Sequence, residues 1–247
     1  MVSKRPQARY LAGLCSDTLV TDLLWTNEHR LSNCHSLASC QPSSSTMGQT
    51  QWRAPSWSWA SPHYCREGAV EFAVEVSPFV SGERSRFTSV GVATFVNVVE
   101  AICEPATQDP TGRVSSGHLT VEGDVLHGSI RKSGNHAWID PSRQETPPEA
   151  EASGTNSPWF KLQLDASLSP HNDVLAMHAT FLPLATCMEV HYTMILQKVD
   201  SKSKPPVYRR IGMLKEKQSV TLGKGSIYRG LAFKKFKNRS RQVITIV

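Results

Sequence analysis

The sequence lacks several features that identify common classes of protein. Its 247 residues contain no run of about 18 apolar residues, the length that a membrane-spanning helix needs. Only 19% of the residues are charged, and none of the six cysteines belongs to a CxxC pair. The first fourteen residues have no long apolar segment, so we predict no secretory signal. These absences favour a cytoplasmic, reducing environment with free thiols and no membrane partner.

Signatures of catalysis are also scarce. There is no GxSxG nucleophile turn, and Gly223–Ser226 lacks the GxxxxGK[ST] frame that wraps phosphates. The spacing of the best metal-ligand candidates does not match a zinc site, and these are Cys34, His35, Cys40, His63 and Cys65. We therefore predict a protein that is not an enzyme, with no catalytic residues, no cofactor and no metal. A hydrolase whose Ser, His and acid meet only in the folded chain remains an alternative.

Positive charge is concentrated near the end of the chain. The net charge is +6, but residues 198–247 carry 14 Lys and Arg against 2 Asp and Glu, whereas residues 1–197 carry 13 against 19. A mildly acidic body with a basic end makes an anionic partner worth considering.

The apolar pattern predicts a mostly β fold. Apolar residues alternate with polar ones in three short stretches, 70–76, 118–125 and 189–199. Residues 91–99 are a nearly continuous β-branched run, and residues 243–247 are strong β-formers. Turn residues separate these stretches, which favours an antiparallel sandwich or a barrel-like domain. Leu19, Leu23 and Leu24 instead recur at helical spacing, so a short helix capped by Ser16 or Asp17 is expected over 16–25.

The composition suggests three regions along the chain. Residues 1–31 form a short helical lead-in, and the Ser-rich residues 32–51 form a polar loop. Residues 52–247 form the β-rich domain. Within it, the Pro- and Glu-rich stretch at about 140–158 is predicted to be a flexible insertion.

The most distinctive string in the sequence is RAPSWSWAS, residues 53–61. In an extended conformation, Trp57 and Trp59 would project from the same face. Two indoles on one face suit a core anchor or a surface that stacks on a ligand or partner. We favour the first role, with Trp25, Trp57 and Trp59 anchoring the lead-in to the sheet. Arg53 is the predicted partner of a carboxylate or carbonyl at that junction.

This string is part of a wider resemblance. YLAGL at 10–14, DLLW at 22–25, the Trp-rich string within 52–61, YRRIG at 208–212 and ITIV at 244–247 resemble, in order and approximate spacing, segments of fungal heterokaryon-incompatibility (HET) domain proteins. In that family the first and third strings typically read YxAGLW and YRAPSWSWAS. Here Cys follows YLAGL in place of the family's Trp, and Trp precedes RAPSWSWAS in place of its Tyr.

The resemblance implies a position within such proteins and a role. The family's core lies upstream of YxAGLW and carries strings like LSYxWG and WIDxLCIxQ, which do not occur here. The chain is therefore expected to correspond to the C-terminal portion of a HET protein. The implied function is structural support or protein interaction in allorecognition and programmed cell death, with a protein partner of unknown identity.

The basic end supports a second hypothesis. Phe233 and Phe236 are interleaved with five cations, a composition that some single-strand binders use; the cations are Lys234, Lys235, Lys237, Arg239 and Arg241. The alternative function is thus an anion- or nucleic-acid-binding module acting through 198–241. No established nucleic-acid-binding motif accompanies this composition, so a solvated face is the preferred interpretation and a nucleic-acid partner is not expected.

Overall fold

The computed structural model describes the residues in eleven stretches of the chain: 8–28, 52–61, 69–73, 92–133, 136–140, 160–161, 163–165, 174–187, 190–200, 202–217 and 239–247. The predicted polar loop at 32–51 lies outside them. So does the predicted insertion, except for Asp140, which ends a strand.

The described residues are mostly β, as predicted, with one short helix. The helix α1 is Leu19–Asp22. The strands are β1 (Tyr10–Leu11), β2 (Leu14–Cys15), β3 (Trp25–Glu28), β4 (Ala69–Phe72), β5 (Val92–Thr94), β6 (Asn97–Pro105), β7 (Val114–Ser133), β8 (His136–Asp140), β9 (Phe160–Lys161), β10 (Gln163–Leu164), β11 (Val174–Cys187), β12 (Val190–Asp200), β13 (Val207–Lys217) and β14 (Arg239–Ile246).

Five long strands close into a ring, which confirms the barrel-like expectation. The hydrogen-bonded order is β7, β11, β12, β13 and β14, and β14 pairs with β7 again. The 20-residue β7 makes this possible because its middle pairs with β14 and its C-terminal part pairs with β11. The N-terminal half of β7 also pairs with β6, and its end pairs with β8.

One pair in the ring is parallel, which corrects the expectation of a purely antiparallel sheet. β13 and β14 run side by side in the same direction, and the other four pairs are antiparallel. A closed ring of five strands cannot be antiparallel throughout, because direction must alternate and five is odd. A parallel pair needs a crossover of a dozen residues or more, and residues 218–238 provide that length between the two strands.

Both faces of the central strands are buried. On β12, Tyr192, Met194 and Leu196 belong to the larger core cluster, as their alternation predicts, whereas Ile195 belongs to a second, smaller cluster. Phe181 of β11 joins the smaller cluster, while Leu182 joins the larger one. The continuous buried run from His191 to Leu196 follows from this arrangement.

The predicted helix is shorter than expected and has a different cap. α1 is a single turn that begins after Thr18, and the carboxylate of Asp22 accepts hydrogen bonds from the Thr18 hydroxyl at 2.8 Å and the Cys15 amide at 3.0 Å. These bonds hold the chain in a tight loop before the helix. The helix ends early because the chain enters β3 at Trp25 and pairs with β4.

Other strand predictions hold in part. Residues 91–99 contain two strands, β5, which pairs with β11, and the start of β6, which pairs with β7. The Phe95 amide donates to Leu184 O at 2.8 Å and so continues the β5–β11 register by one residue. Glu71 is exposed on β4 as predicted. Val74 and Val76, the other end of that predicted strand, lie outside the described residues.

The lead-in and the ring share one core. Leu19, Leu23 and Leu24 belong to the same cluster as Leu119, Met194 and Ile244 of the ring strands, although α1 precedes the ring by about a hundred residues of sequence. The amphipathic spacing of the leucines therefore serves to pack the lead-in against the sheet.

Because the core is shared, Leu23→Ala should destabilise the ring itself. Leu23 is fully buried, so its truncation should lower the free energy of unfolding by about 2–5 kcal/mol. Urea unfolding followed by far-UV circular dichroism measures this. Val99→Ala, at a site that is 55% exposed, is the control and should change the value by less than about 0.5 kcal/mol. An unchanged ring transition in Leu23→Ala would show that the lead-in unfolds separately.

Candidate functional site

The Trp-rich string is folded into turns. The amide of Ser58 donates to Pro55 O at 2.9 Å, and the amide of Ser61 donates to Ser58 O at 3.1 Å. In an extended segment both indoles would lie on one face. The turns rule out that arrangement. Trp57 is fully buried in the larger core cluster, and Trp59 is half-buried beside it.

The string is bonded to the start of the lead-in. The Ser58 hydroxyl donates to Ala12 O, and Trp59 Nε1 donates to Gly13 O at 3.0 Å. Gly13 has a φ of +98°, and a Cβ built there would lie 2.5 Å from Trp59 Nε1. Glycine is thus required at this position both for the backbone conformation and for the close approach of the indole.

The end of the lead-in is bonded to the same string. Trp25 is fully buried, and its Nε1 donates to Trp57 O at 2.9 Å. The predicted anchors Trp25, Trp57 and Trp59 therefore converge on one junction.

The string also contacts the last two strands of the ring. The amide of Ser56 donates to Val247 O at 3.1 Å, and the Ser56 hydroxyl donates to the same oxygen. The amide of Arg210, on β13, donates to Ser56 Oγ at 2.9 Å. One serine side chain thereby joins the C-terminal residue to the strand beside it.

Arg210 places a guanidinium at the centre of this junction. Its side chain is fully buried, with Nε 2.7 Å from Asp165 Oδ2 and Nη2 3.3 Å from Asp165 Oδ1. Nη1 donates to Leu23 O at 3.0 Å, and Nη2 donates to Trp25 O at 2.6 Å. The guanidinium carbon also lies 3.4 Å from the centroid of the Trp25 ring, the geometry of a cation–π contact.

Asp165 is the only carboxylate that these bonds bring to the guanidinium. Its backbone amide donates to Ile211 O at 2.9 Å, which fixes the carboxylate beside β13. Burial raises the pKa of Asp165 above the ordinary range of an aspartate, and the charge and hydrogen bonds of Arg210 oppose that rise. The pair is a structural element, since a buried carboxylate needs this cation to stay ionised.

The role predicted for Arg53 is taken by Arg210. Arg53 is exposed in the described structure, whereas the guanidinium that reaches carbonyls and a carboxylate at the junction comes from residue 210. The sequence contains a signal for the inward position of Arg210. Position 210 shares a strand face with the buried Tyr208, so an arginine there points inward by the period-two rule.

The basic end is partly neutralised by the acidic body. Arg241 lies on β14 and pairs with Glu122, with Nε 3.1 Å from Oε1. This pair lowers the pKa of Glu122 through its hydrogen bond and charge. Arg239 is the first residue of β14, and Lys234, Lys235 and Lys237 lie outside the described residues.

No metal-binding arrangement occurs in the described stretches. They hold no group of three or more His, Cys, Asp or Glu side chains that could bind a metal ion. Cys34, His35, Cys40, His63 and Cys65 lie outside these stretches. Cys103 is half-buried and its pKa is raised to about 11 by burial, so it is protonated at neutral pH.

Comparison with known proteins identifies no relative. No family model, no curated protein and no solved structure matches the chain. Among the described residues, no helix is both long and apolar enough to cross a membrane.

Arg210→Met should destabilise the fold strongly. The substitution keeps much of the side-chain volume but leaves Asp165 buried without its cation, so the free energy of unfolding should fall by about 3–5 kcal/mol. Chemical denaturation monitored by tryptophan fluorescence measures the change. Arg209→Met is a matched control one residue away, because Arg209 is exposed and bonds only to Gln197 in the described structure; it should change stability by less than about 0.5 kcal/mol. Equal effects of the two substitutions would contradict the proposed role of the buried pair.

Trp57→Ala tests the anchor role of the Trp-rich string. Trp57 is fully buried, so its removal should cost about 3–5 kcal/mol. Trp52 is 43% exposed at the start of the same segment, and Trp52→Ala should leave the melting temperature nearly unchanged. An unchanged melting temperature in Trp57→Ala would instead favour a role of this indole in binding.

Proposed function

We propose that this chain is the non-enzymatic C-terminal portion of a fungal heterokaryon-incompatibility-type protein. In this proposal the chain is a structural and interaction domain. It provides a stable surface through which such a protein binds a protein partner in the cytoplasm. Its role in allorecognition and programmed cell death is structural: it keeps the binding surface in one conformation and carries no catalytic residues of its own.

The convergence of the family-like strings is the observation that supports this proposal. Strings 10–14, 22–25, 52–61, 208–212 and 244–247 are spread over the chain, yet all five contribute atoms to the junction around Arg210 and the Trp-rich turns. Because these residues bond to one another in the fold, sequences that share the fold are expected to contain all five strings. The resemblance to the family therefore involves residues that form one structural unit.

The chemistry of the junction favours support over catalysis. Most polar side chains of the junction bond to backbone atoms or to each other: Ser56, Ser58, Trp25, Trp59 and Arg210 do so. The exception is Trp57 Nε1, a buried donor with no acceptor among the described residues, and an indole N–H is neither a nucleophile nor a base. A catalytic group needs a free lone pair or proton directed at a cleft. The junction is instead filled by indoles and leucines of the larger core cluster.

The alternative, an anion- or nucleic-acid-binding module acting through 198–241, receives less support from the described part of that segment. Three of its cations form ion pairs with carboxylates of the acidic body, namely Lys215 with Glu71, Arg210 with Asp165 and Arg241 with Glu122. These three pairs account within the chain for part of the uneven charge along the sequence.

A domain-replacement experiment tests the proposal. The chain is fused behind the core of a heterokaryon-incompatibility protein whose own C-terminal portion has been removed, and induced cell death is scored in a fungal host. We expect the fusion to restore cell death. The Arg209→Met fusion should do so as well, whereas the Arg210→Met fusion should not, because its junction is disrupted.

Two outcomes would overturn the proposal. The first is a folded, normally expressed wild-type fusion that causes no cell death. The second is cell death caused by the chain expressed without the core, which would place an activity within the chain itself. Immunoblotting and limited proteolysis of each fusion separate loss of function from loss of protein.

A further inference from the structure

A second feature of the ring is lined by basic and hydroxyl side chains. It is a cavity of about 430 Å³ whose polar lining comes from four neighbouring strands: His127 on β7, His178 and Thr180 on β11, Lys198 on β12 and Tyr208 on β13. Its volume falls within the range of small-molecule sites. These four strands are consecutive neighbours in the ring, so the cavity is formed by adjacent strands of one sheet.

The register explains why these side chains meet. Thr180 is directly opposite His127, and Lys198 is directly opposite Tyr208. His178 is two residues from Thr180 on the same strand and so faces the same side. Tyr208 is buried and belongs to the larger core cluster, so the cavity lies beside that cluster.

The charges in the cavity have one sign. His127, His178 and Lys198 are exposed to solvent, and the lining residues in the described part of the chain include no carboxylate. Partial burial lowers the pKa of His127, and the positive charge of Lys198 lowers it further, so the free imidazole is neutral at neutral pH. The ammonium of Lys198, with no carboxylate among the described lining residues, supplies the positive potential that attracts an anion.

Two hydroxyl groups complete the donor set. Thr180 Oγ1 lies 3.4 Å from His127 Nδ1, and Thr180 also forms a hydrogen bond with Tyr208. Burial raises the pKa of Tyr208, so its hydroxyl keeps its proton at neutral pH. The cavity thus combines an ammonium, two imidazoles and two hydroxyls, all of which can donate to oxygen atoms.

We propose that this cavity binds the phosphate group of a small phosphorylated molecule, with Lys198 as the cationic contact and the imidazoles of His127 and His178 as further hydrogen-bond donors. A phosphate monoester carries close to two negative charges at neutral pH and three acceptor oxygens, which match this donor set better than a carboxylate does. The cavity is larger than a phosphate group, which leaves room for the organic part of the molecule.

Binding is expected to depend on pH through His127. The titratable groups that face it are His178 from β11, Lys198 from β12 and Tyr208 from β13. A bound dianion stabilises protonated His127, so its pKa should rise on binding, and affinity should fall as the pH rises from the lowered pKa of the free imidazole through the raised pKa of the bound one. Below about pH 6 the phosphate also loses its second charge, which limits the gain at lower pH.

Nuclear magnetic resonance on the full chain tests the proposal directly. Inorganic phosphate and glycerol phosphate are titrated at constant ionic strength while the imidazole signals are followed, with acetate as the carboxylate comparison. We expect saturable shifts of the His127 and His178 signals with both phosphates and a raised pKa of His127 at saturation. Lys198→Met should weaken binding by roughly tenfold, the loss typical of one charged contact.

The control variant is Lys202→Met, which removes an exposed lysine outside the cavity and should bind phosphate as the wild type does. Tyr208→Phe removes only a hydroxyl and should weaken binding less than Lys198→Met. Equal loss in the two lysine variants would overturn the proposal, since binding would then reflect net charge. So would the absence of saturable shifts with either phosphate, or tighter Lys198-dependent binding of a single-stranded oligonucleotide, which would assign the cavity to nucleic acid.

Discussion

The buried guanidinium of Arg210 is the constraint on which the junction depends. Moving a cation out of water is costly, and the cost is offset by a counter-charge and by hydrogen bonds to its donors. Arg210 makes four such bonds, two with Asp165 and one with each of the carbonyls of Leu23 and Trp25, and it stacks on the Trp25 ring. Because the two carbonyls and the Trp25 ring belong to the lead-in, this segment cannot leave the ring without taking two hydrogen bonds and a cation–π contact from a buried cation. The lead-in and the ring are thus one unit energetically, although they are far apart in sequence.

The Trp-rich turns provide the second half of the same junction. Their short serine side chains satisfy backbone groups that regular secondary structure leaves open: Ser58 bonds to Ala12 O and Ser56 to Val247 O. The turns of this nine-residue string place Ser58 within hydrogen-bond distance of Ala12 and Ser56 within hydrogen-bond distance of Val247. This geometry accounts for the alternation of serine and tryptophan, since one residue type bonds the backbone and the other fills the core.

The sequence predicts the parts of this fold that depend on local pattern. Alternation on β12 identifies Tyr192, Met194 and Leu196 as core residues, and the helical spacing of the lead-in leucines identifies their buried face. Ring closure, the parallel pair and the partner of Arg210 depend on contacts between distant strands. Asp165 illustrates the limit, because nothing in its neighbourhood distinguishes it from a solvated aspartate. The inward position of Arg210 is readable from strand period, but only once the register of β13 is known.

Positive charge has two different roles in this chain, and burial separates them. Arg210 is fully enclosed, so the chain itself must supply its counter-charge, and its electrostatic energy is used within the fold. Lys198 lies on the adjacent strand but faces an open cavity with two imidazoles, where water can solvate it and no carboxylate is among the described lining residues. A solvated cation needs no counter-charge within the fold, so its electrostatic potential can act on a ligand. The same basic end of the sequence therefore stabilises the fold at one strand and leaves a positive potential at the next.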